Sequence, residues 1–209
     1  DYEAMAYNHS IDSRIGIYYY EYGSYPRKPR VVYDRKHSSI NNIEISDVPQ
    51  TLFYNTRLFH TSGITLGLGG KAQDFAIHCI KEFKKQGTLI SFDVNYRANL
   101  WTGEEARKCI ETILPYVDIF FCSEDTARLT FGKTGTINEI QKSFCEEYPI
   151  SVVASTERTV ITPKKHNFTS IIYSAKNDTY YRENPYNNID APEAGFYMME
   201  VDLTAMTYK

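Results

Sequence analysis

Several features are scarce or absent in this chain of 209 residues, and each absence removes a class of protein. No apolar run approaches the ~20 residues that cross a bilayer, so the sequence predicts no membrane span. The net charge is -3 at pH 7, which argues against nonspecific binding to nucleic acid. The four cysteines lie far apart and form no Cys-x-x-Cys pair, so we expect reduced thiols rather than structural zinc. The opening DYE lacks both the basic start and the apolar stretch of a secretory signal, and we therefore expect a cytoplasmic protein.

The composition that remains is that of an ordinary globular domain. Hydrophobic residues make up 42% of the chain and charged residues 23%, which suits one sizeable core with room for a small second lobe. Tyrosine is the unusual component, with 18 residues, many of them in strand-like runs where aromatic side chains pack well.

The run SFDVNYRANLW, residues 91–101, is the stretch around which the chain is organised. A helical pattern over 74–86 ends at Gly87, and a buried strand over 88–92 leads into Asn95, Arg97 and Asn99. In open α/β sheets ligands bind outside the carboxyl ends of the strands, where Arg97 is expected to lie. Arginine binds carboxylates in a bidentate fork, so these side chains suit a hydroxylated, anionic small molecule. An ordinary surface charge or local ion pair is the alternative for Arg97.

Strand and helix patterns alternate between residues 58 and 154, which predicts a parallel sheet covered by helices. The predicted elements are a buried strand at 58–63, a helix from Thr102, strands at 117–121 and 151–154, and helices from Ser123 and over 137–148. Outside this region the patterns predict two hairpins, one joining 14–22 to 31–33 and one around Asn177-Asp178. A helix over 194–206 is compatible with the sequence, although Gly195 weakens that pattern.

Six segments, in order along the chain, resemble the ribokinase-like (PfkB) carbohydrate kinases, most closely the 2-keto-3-deoxygluconate kinases. The segments are RIGIYYYEYG (14–23), VVYDRKHSS (31–39), LFHTSGITL (58–66), SFDVNYRANLW (91–101), DIFFCSEDTARLTFG (118–132) and VVASTERTV (152–160).

This resemblance implies an α/β fold, the ribokinase-like three-layer sandwich with a mostly parallel sheet and a small β-hairpin lid. The lid would comprise residues 14–39 and contribute to the sugar site, while 51–209 would form the core with the nucleotide site. The N-terminal segment of the family is absent from this sequence. The implied activity is phosphoryl transfer from ATP, with Mg²⁺, to the terminal hydroxyl of an acidic keto-sugar. A homo-oligomer formed through the lid is also consistent with the family.

The resemblance places the sugar acid against aromatic and cationic side chains. Arginines would bind its carboxylate, and tyrosines would offer a hydroxyl group and a ring face. Packing within the hairpin is the alternative role for the two tyrosines. The substrate assignment requires both arginines to converge on one pocket. The matching residues are Tyr18, Tyr33, Arg35 and Arg97.

Nucleotide contacts are implied at Ser123, Thr156 and Arg158, at the tips of neighbouring strand–helix units. Ser123 could equally be only a helix cap. Many members of the family carry a glutamate that organises Mg²⁺ where this chain has Thr126, which offers no carboxylate. Glu124 or Asp125 could substitute, and the metal ligands stay unassigned.

The catalytic base of the family is an aspartate at a helix N-terminus, which matches Asp190. Glycine amides normally precede it and hold the transferring phosphate, but Asn187-Asn188-Ile189 stands there instead. Either a glycine-rich segment lies between Ile189 and Asp190 in the whole protein, or this member has no such anion hole.

Three functions follow from these patterns. The first is an ATP-dependent sugar-acid kinase, and the second is a noncatalytic sugar-acid-binding relative that lacks the glycine turn. A nicotinamide-dependent Rossmann enzyme would also suit the alternation of strands and helices, but no glycine fingerprint follows an early strand.

Overall fold

A short antiparallel hairpin precedes the main sheet. The computed structural model describes residues 14–22, 27, 30–35, 37–162 and 165–190, and the compatible helix at 194–206 lies outside them. Strand β1 (Ile17–Glu21) pairs with β2 (Arg30–Asp34), and Tyr18 lies directly opposite Tyr33. The predicted first hairpin is therefore confirmed.

Within the described residues the main sheet has seven strands, of which the first four are parallel. They are β3 (Leu58–Ser62), β4 (Leu89–Asp93), β5 (Ile119–Phe121), β6 (Val152–Thr162), β7 (Lys165–Ser174), β8 (Thr179–Arg182) and β9 (Tyr186–Asp190). Strands β3 to β8 follow one another across the sheet in chain order, and β9 also pairs with β7. The pairs β3–β4, β4–β5 and β5–β6 are parallel, as the alternating pattern predicts, and the pairs made by β7 are antiparallel.

The structure has six α-helices in its described residues, and local signals mark the ends of several of them. They are α1 (Thr51–Asn55), α2 (Gly63–Gly67), α3 (Gly70–Lys85), α4 (Gly103–Glu111), α5 (Glu124–Phe131) and α6 (Ile137–Glu147). Thr102 caps α4, since its hydroxyl accepts a hydrogen bond from the Glu105 amide at 3.2 Å while the Glu105 carboxylate accepts one from Thr102. Helix α3 ends before Gly87, which has the left-handed φ of 79° that favours glycine.

The described helices pack on one face of the sheet. Connections between successive parallel strands are almost always right-handed, and the strand order never reverses, so the helices α2 to α6 are expected on the same side. Phe59 stacks on Phe83 of α3, and Phe120 contacts Phe144 of α6 ring edge to ring face. The described residues therefore supply two layers of the expected sandwich, one of strands and one of helices.

The opposite face of the parallel strands carries Leu58, His60, Leu89, Ser91, Asp93 and Phe121, and we call it the outer face. Leu58 and Leu89 are 36% and 50% exposed there, although Ser91 on the same face is buried, and Ile90, on the helix side, is fully buried. Strand β3, which the sequence predicts to be buried, is instead the edge strand of the sheet that the described residues form, and it is partly exposed. That prediction was wrong because an apolar run alone does not distinguish edge strands from central ones.

None of the helices in the described residues is both long enough and apolar enough to span a membrane.

Candidate functional site

The carboxyl end of β4 opens into a tightly held turn. The Asp93 carboxylate accepts a hydrogen bond from the Asn95 amide at 3.0 Å, and Asn95 has a φ of 37°, in the left-handed region. The Val94 amide donates to the Phe121 carbonyl at 3.0 Å, which ties the turn to β5. The chain thereby leaves the sheet in a defined direction, toward Arg97.

Arg97 is half-buried at this edge of the sheet, as the sequence predicts. One of its Nη atoms donates to the Tyr96 carbonyl at 3.0 Å. No carboxylate within the described part of the chain forms an ion pair with it, in contrast to Arg107 and Arg182, which pair with Glu111 and Glu157. The guanidinium group therefore keeps most of its donors for another acceptor.

Asp93 is largely withdrawn from water, with His60 and Arg97 nearby. Burial raises the pKa of Asp93, while the hydrogen bond from Asn95 and the nearby charges of His60 and Arg97 oppose that rise. His60 lies on β3, and its Nδ1 is 2.9 Å from the Ser91 hydroxyl. Asp93 and His60 are the residues that our sequence reasoning missed. An aspartate two residues before an asparagine, at the end of a strand, is the signal that marks such a turn.

The hairpin brings three of the predicted sugar-site residues together. The rings of Tyr18 and Tyr33 have centroids 6.2 Å apart, and the guanidinium carbon of Arg35 lies 4.0 Å from the centroid of the Tyr33 ring. The Arg35 Nη1 atom is buried, yet it finds no hydrogen-bond acceptor among the described residues. A buried donor without an acceptor is costly, so this atom favours the presence of an anion or polar ligand.

The segment after the hairpin connects Arg35 to the same end of the sheet as Arg97. Glu44 forms an ion pair with Lys71 in the first turn of α3, and Ile45 and Val48 pack against the hydrophobic core. Because α3 follows β3, its first turn lies at the carboxyl edge of the parallel strands. This placement is consistent with a shared pocket, and convergence of the two arginines stays a prediction.

The predicted nucleotide residues occupy two different settings. Ser123 caps α5, accepting from the Thr126 amide at 3.3 Å and donating to the Thr126 hydroxyl at 2.8 Å. Thr156 and Arg158 lie inside β6, so their predicted position at a strand tip was wrong. Pairing with the long strand β7 extends β6 beyond its apolar start, and the Arg158 Nη2 atom lies 3.2 Å from Nε2 of His166. A nucleotide role for these three residues stays a prediction.

Asp190, the predicted general base, is the last residue of β9 and lies opposite Lys165 of β7. Ile189 and Asp190 are consecutive residues of that strand, and the Asp190 side chain lies outside the described part of the structure.

The described residues contain no cluster of three or more metal-ligating side chains. Of the two carboxylates that could replace the glutamate of the family, Glu124 pairs with Arg128, and Asp125 is exposed in the first turn of α5.

Two small cavities lie away from this edge. One, of about 240 Å³, is bounded by the C-terminal parts of α4 and α6 and by Lys133, whose ammonium pairs with Glu147. The other, of about 190 Å³, lies between Tyr116 and the lysines at the end of α3. Neither cavity is lined by a residue of the candidate site.

The known proteins that this chain resembles are carbohydrate kinases. Residues 9–157 match the model of the pfkB family carbohydrate kinases. A 2-dehydro-3-deoxygalactonokinase from Haloferax volcanii is 28% identical over 145 residues, which are 69% of this chain and 46% of that protein. An ATP-dependent 6-phosphofructokinase from Thermoanaerobacterium thermosaccharolyticum is 33% identical over 102 residues, 48% of this chain and 31% of that protein.

Among solved structures, the 2-dehydro-3-deoxygluconokinase of Thermotoga maritima superposes with a TM-score of 0.78 at 30% identity. The match covers 84% of this chain and 55% of that one. The chain therefore spans about half the length of such relatives.

Proposed function

This chain belongs to the pfkB family of carbohydrate kinases, and on that premise we propose that the whole protein phosphorylates 2-keto-3-deoxygluconate or a similar sugar acid. The γ-phosphoryl group of ATP would pass to the terminal hydroxyl of the sugar. One observation carries the substrate assignment: Arg97 lies half-buried at the carboxyl edge of the sheet without a carboxylate partner in the described chain.

The sugar acid would be held from two sides. Arg97 and Arg35 would donate to its carboxylate, and the buried Arg35 Nη1 atom would gain the acceptor it lacks. Tyr18 and Tyr33 are 58% and 40% exposed on the hairpin, so their hydroxyl groups and rings are accessible to the sugar. Closing the hairpin over the sugar would exclude water, and this would strengthen each of these interactions.

ATP would lie along the same edge, near the N-terminus of α5 and the face of β6 that carries Thr156 and Arg158. The unpaired amides at the start of a helix attract phosphate oxygens, and Arg158 would add a positive charge. Mg²⁺ fits this arrangement without a dedicated cluster of ligands, because it commonly binds through phosphate oxygens and one or two carboxylates. Asp125 is the exposed carboxylate best placed to contribute, and the bound ion would neutralise phosphate charge.

We assign Asp190 the role of general base. Its carboxylate would accept the proton of the attacking hydroxyl as the new bond to phosphorus forms. The four cysteines are free thiols, which supports a reducing compartment such as the cytoplasm.

Alanine substitution at Arg35 or Arg97 tests the sugar-acid assignment. Loss of a charge-assisted hydrogen bond is expected to raise the KM for the sugar acid about tenfold to a hundredfold, with little change in the KM for ATP. Arg107→Ala is the matched control, since that arginine pairs with Glu111 on the surface of α4. Coupled ADP production by the full-length enzyme measures each value. The assignment would be contradicted if both variants kept the wild-type KM for the sugar acid. It would also be contradicted if the wild-type enzyme phosphorylated fructose 6-phosphate but not the sugar acid.

A noncatalytic sugar-acid-binding protein is the second candidate. The residues that stand where the family has its glycine turn, 187–189, form part of β9 instead. This candidate predicts that calorimetry detects sugar-acid binding while no ADP is produced, and that Asp190→Asn changes nothing.

We also propose that two copies associate through the hairpin. Both faces of β1 carry exposed tyrosines, Tyr18 at 58% and Tyr19 at 59%, and a lone two-stranded hairpin is marginally stable in water. The Tyr19→Lys substitution should therefore lower the sedimentation coefficient toward the value of the monomer. An unchanged sedimentation coefficient would argue against this interface.

A further inference from the structure

We propose that Asp93 is a positioning residue for Arg97: its side chain closes the turn that places the 95–97 segment for binding the carboxylate of the sugar acid. This inference rests on the proposed function, since it concerns the same pocket. Asp93 belongs neither to the predicted sugar site nor to the predicted nucleotide site.

The first observation is the turn itself. The Asp93 carboxylate accepts from the backbone amide two residues ahead, at 3.0 Å, in the manner of an Asx turn. Asn95 has a φ of 37°, in the left-handed region, which asparagine adopts more readily than most residues but still at some cost in free energy. Without the acceptor, Asn95 is free to return to the more common negative φ. Such a rotation changes the direction of the chain that leads to Arg97 and so displaces its side chain.

The second observation is that the two sides of the turn are fixed independently. Val94 is fully buried, and its carbonyl oxygen lies 2.0 Å from the place that a Cβ on Gly63 would occupy. On the far side, the Leu100 amide donates to the Arg97 carbonyl at 2.9 Å, and the Tyr96 hydroxyl donates to the Trp101 carbonyl at 3.2 Å. Between these fixed points, the Asn95 amide has the Asp93 side chain as its acceptor.

The third observation is that Asp93 lies near Arg97 without forming an ion pair with it. The charge of Arg97 acts on the Asp93 carboxyl group, yet the two form no ion pair in the described residues. A direct ion pair would compete with an incoming carboxylate. Holding the backbone leaves the guanidinium group available, which is the arrangement that preorganised binding requires.

Two substitutions separate this role from general stability. Asp93→Asn keeps an oxygen that accepts from the Asn95 amide, so the KM for the sugar acid should stay within about threefold of wild type. Asp93→Ala removes the acceptor, and the misplaced Arg97 should raise that KM about tenfold to a hundredfold, while kcat and the KM for ATP change by less than about threefold.

Asp118→Ala is the matched control. Asp118 also accepts a backbone amide hydrogen bond, from Ile90 at 2.8 Å, but it precedes β5 at the opposite edge of the sheet. This variant should lose stability without a change in the KM for the sugar acid.

Hydrogen exchange in the full-length protein gives a readout that does not depend on activity. The Asn95 amide should exchange at least about tenfold faster in Asp93→Ala than in wild type and stay protected in Asp93→Asn. If Asp93→Ala does not fold, Asp93→Ser, whose shorter side chain makes this turn more weakly, should give an intermediate exchange rate and KM.

The positioning role would be overturned if Asp93→Ala kept the wild-type KM for the sugar acid, or if Asp93→Asn and Asp93→Ala raised that KM equally. A wild-type enzyme that leaves the sugar acid unphosphorylated would instead overturn the proposed function, and the exchange rates would still test the turn.

Discussion

At the scale of single residues, Asp93 links the stability of the fold to pH. Burial raises the pKa of its carboxyl group in the folded state, whereas the unfolded chain should titrate near the ordinary value of about 3.9. Between these two pKa values the folded state holds a proton that the unfolded state has released. The free energy of unfolding therefore falls as the pH rises through this window. Above the folded pKa the protein bears the full free-energy cost of burying the ionised Asp93 carboxylate.

Asp93→Asn should remove that cost. The variant is expected to have a larger free energy of unfolding than wild type at pH 7, and the difference should vanish below about pH 4, where both side chains are neutral. Urea unfolding at a series of pH values measures the difference. His60, Arg97 and Cys122 are the other titratable groups coupled to Asp93, and they are unchanged in the variant. This explanation would be contradicted if the free energies of unfolding of the two proteins changed with pH in the same way.

The positions of some candidate-site residues could be predicted from the sequence more readily than those of others. Arg97 could be predicted because a cation just after a buried strand lies at a known ligand-binding edge. Asp93 was not predicted as a site residue, because its importance depends on the φ of Asn95 and on the burial that β3 and β5 impose. The unpaired Arg35 Nη1 atom likewise depends on how the hairpin packs, which spacing along the chain does not show.

At the scale of secondary-structure elements, the start of α5 combines two roles that a single substitution can separate. Ser123→Asp keeps a good N-cap and places a negative charge at the positive end of the helix dipole, so stability should be unchanged or slightly increased. The same charge should repel the phosphates of ATP and raise the KM for ATP about tenfold. Enzyme kinetics and thermal unfolding measure the two effects.

Thr136→Asp is the control for that substitution. Thr136 caps α6 through the Glu139 amide at 3.3 Å, and it belongs to no predicted site. The same chemical change there should leave the KM for ATP at its wild-type value. If Ser123→Asp also kept the wild-type KM for ATP, Ser123 would act only as a helix cap.

Elements with local signals were predicted well, and elements that depend on distant partners were not. The capping residues Thr102 and Ser123 mark the starts of α4 and α5 because their side chains bond within the first turn. Strand β6 extends to Thr162, beyond the predicted end at residue 154, because β7 pairs along its length. Strand β9 has no apolar alternation and forms through its pairing with β7, so its sequence alone did not reveal it.

At the scale of the whole molecule, the helices of the described residues cover one face of a sheet that is largely parallel. Parallel sheets are normally buried on both faces, yet Leu58 and Leu89 are 36% and 50% exposed on the outer face. The alternating pattern correctly predicted the α/β class. It did not reveal that the described helices lie on one side of the sheet, because sequence periodicity shows that a helix has an apolar stripe but not which side of the sheet it meets.

The isolated polypeptide of these 209 residues should therefore bind a hydrophobic dye such as ANS. Leu89→Lys should reduce dye fluorescence while changing the free energy of unfolding by less than about 0.5 kcal/mol, because half of the side chain is already in water. Leu129→Lys on α5 is the control, since Leu129 is 64% exposed on the helical layer. Equal fluorescence in both variants would show that the outer face is not the dye-binding surface.

The strand order of the parallel region bears on how the protein is made. Because β3, β4, β5 and β6 are neighbours in the order in which they leave the ribosome, each new strand finds its partner already synthesised. Each pairing closes a loop that contains only the intervening helices, so the entropic cost of joining successive strands stays low. This part of the sheet can therefore assemble progressively during translation, one strand and its helices at a time.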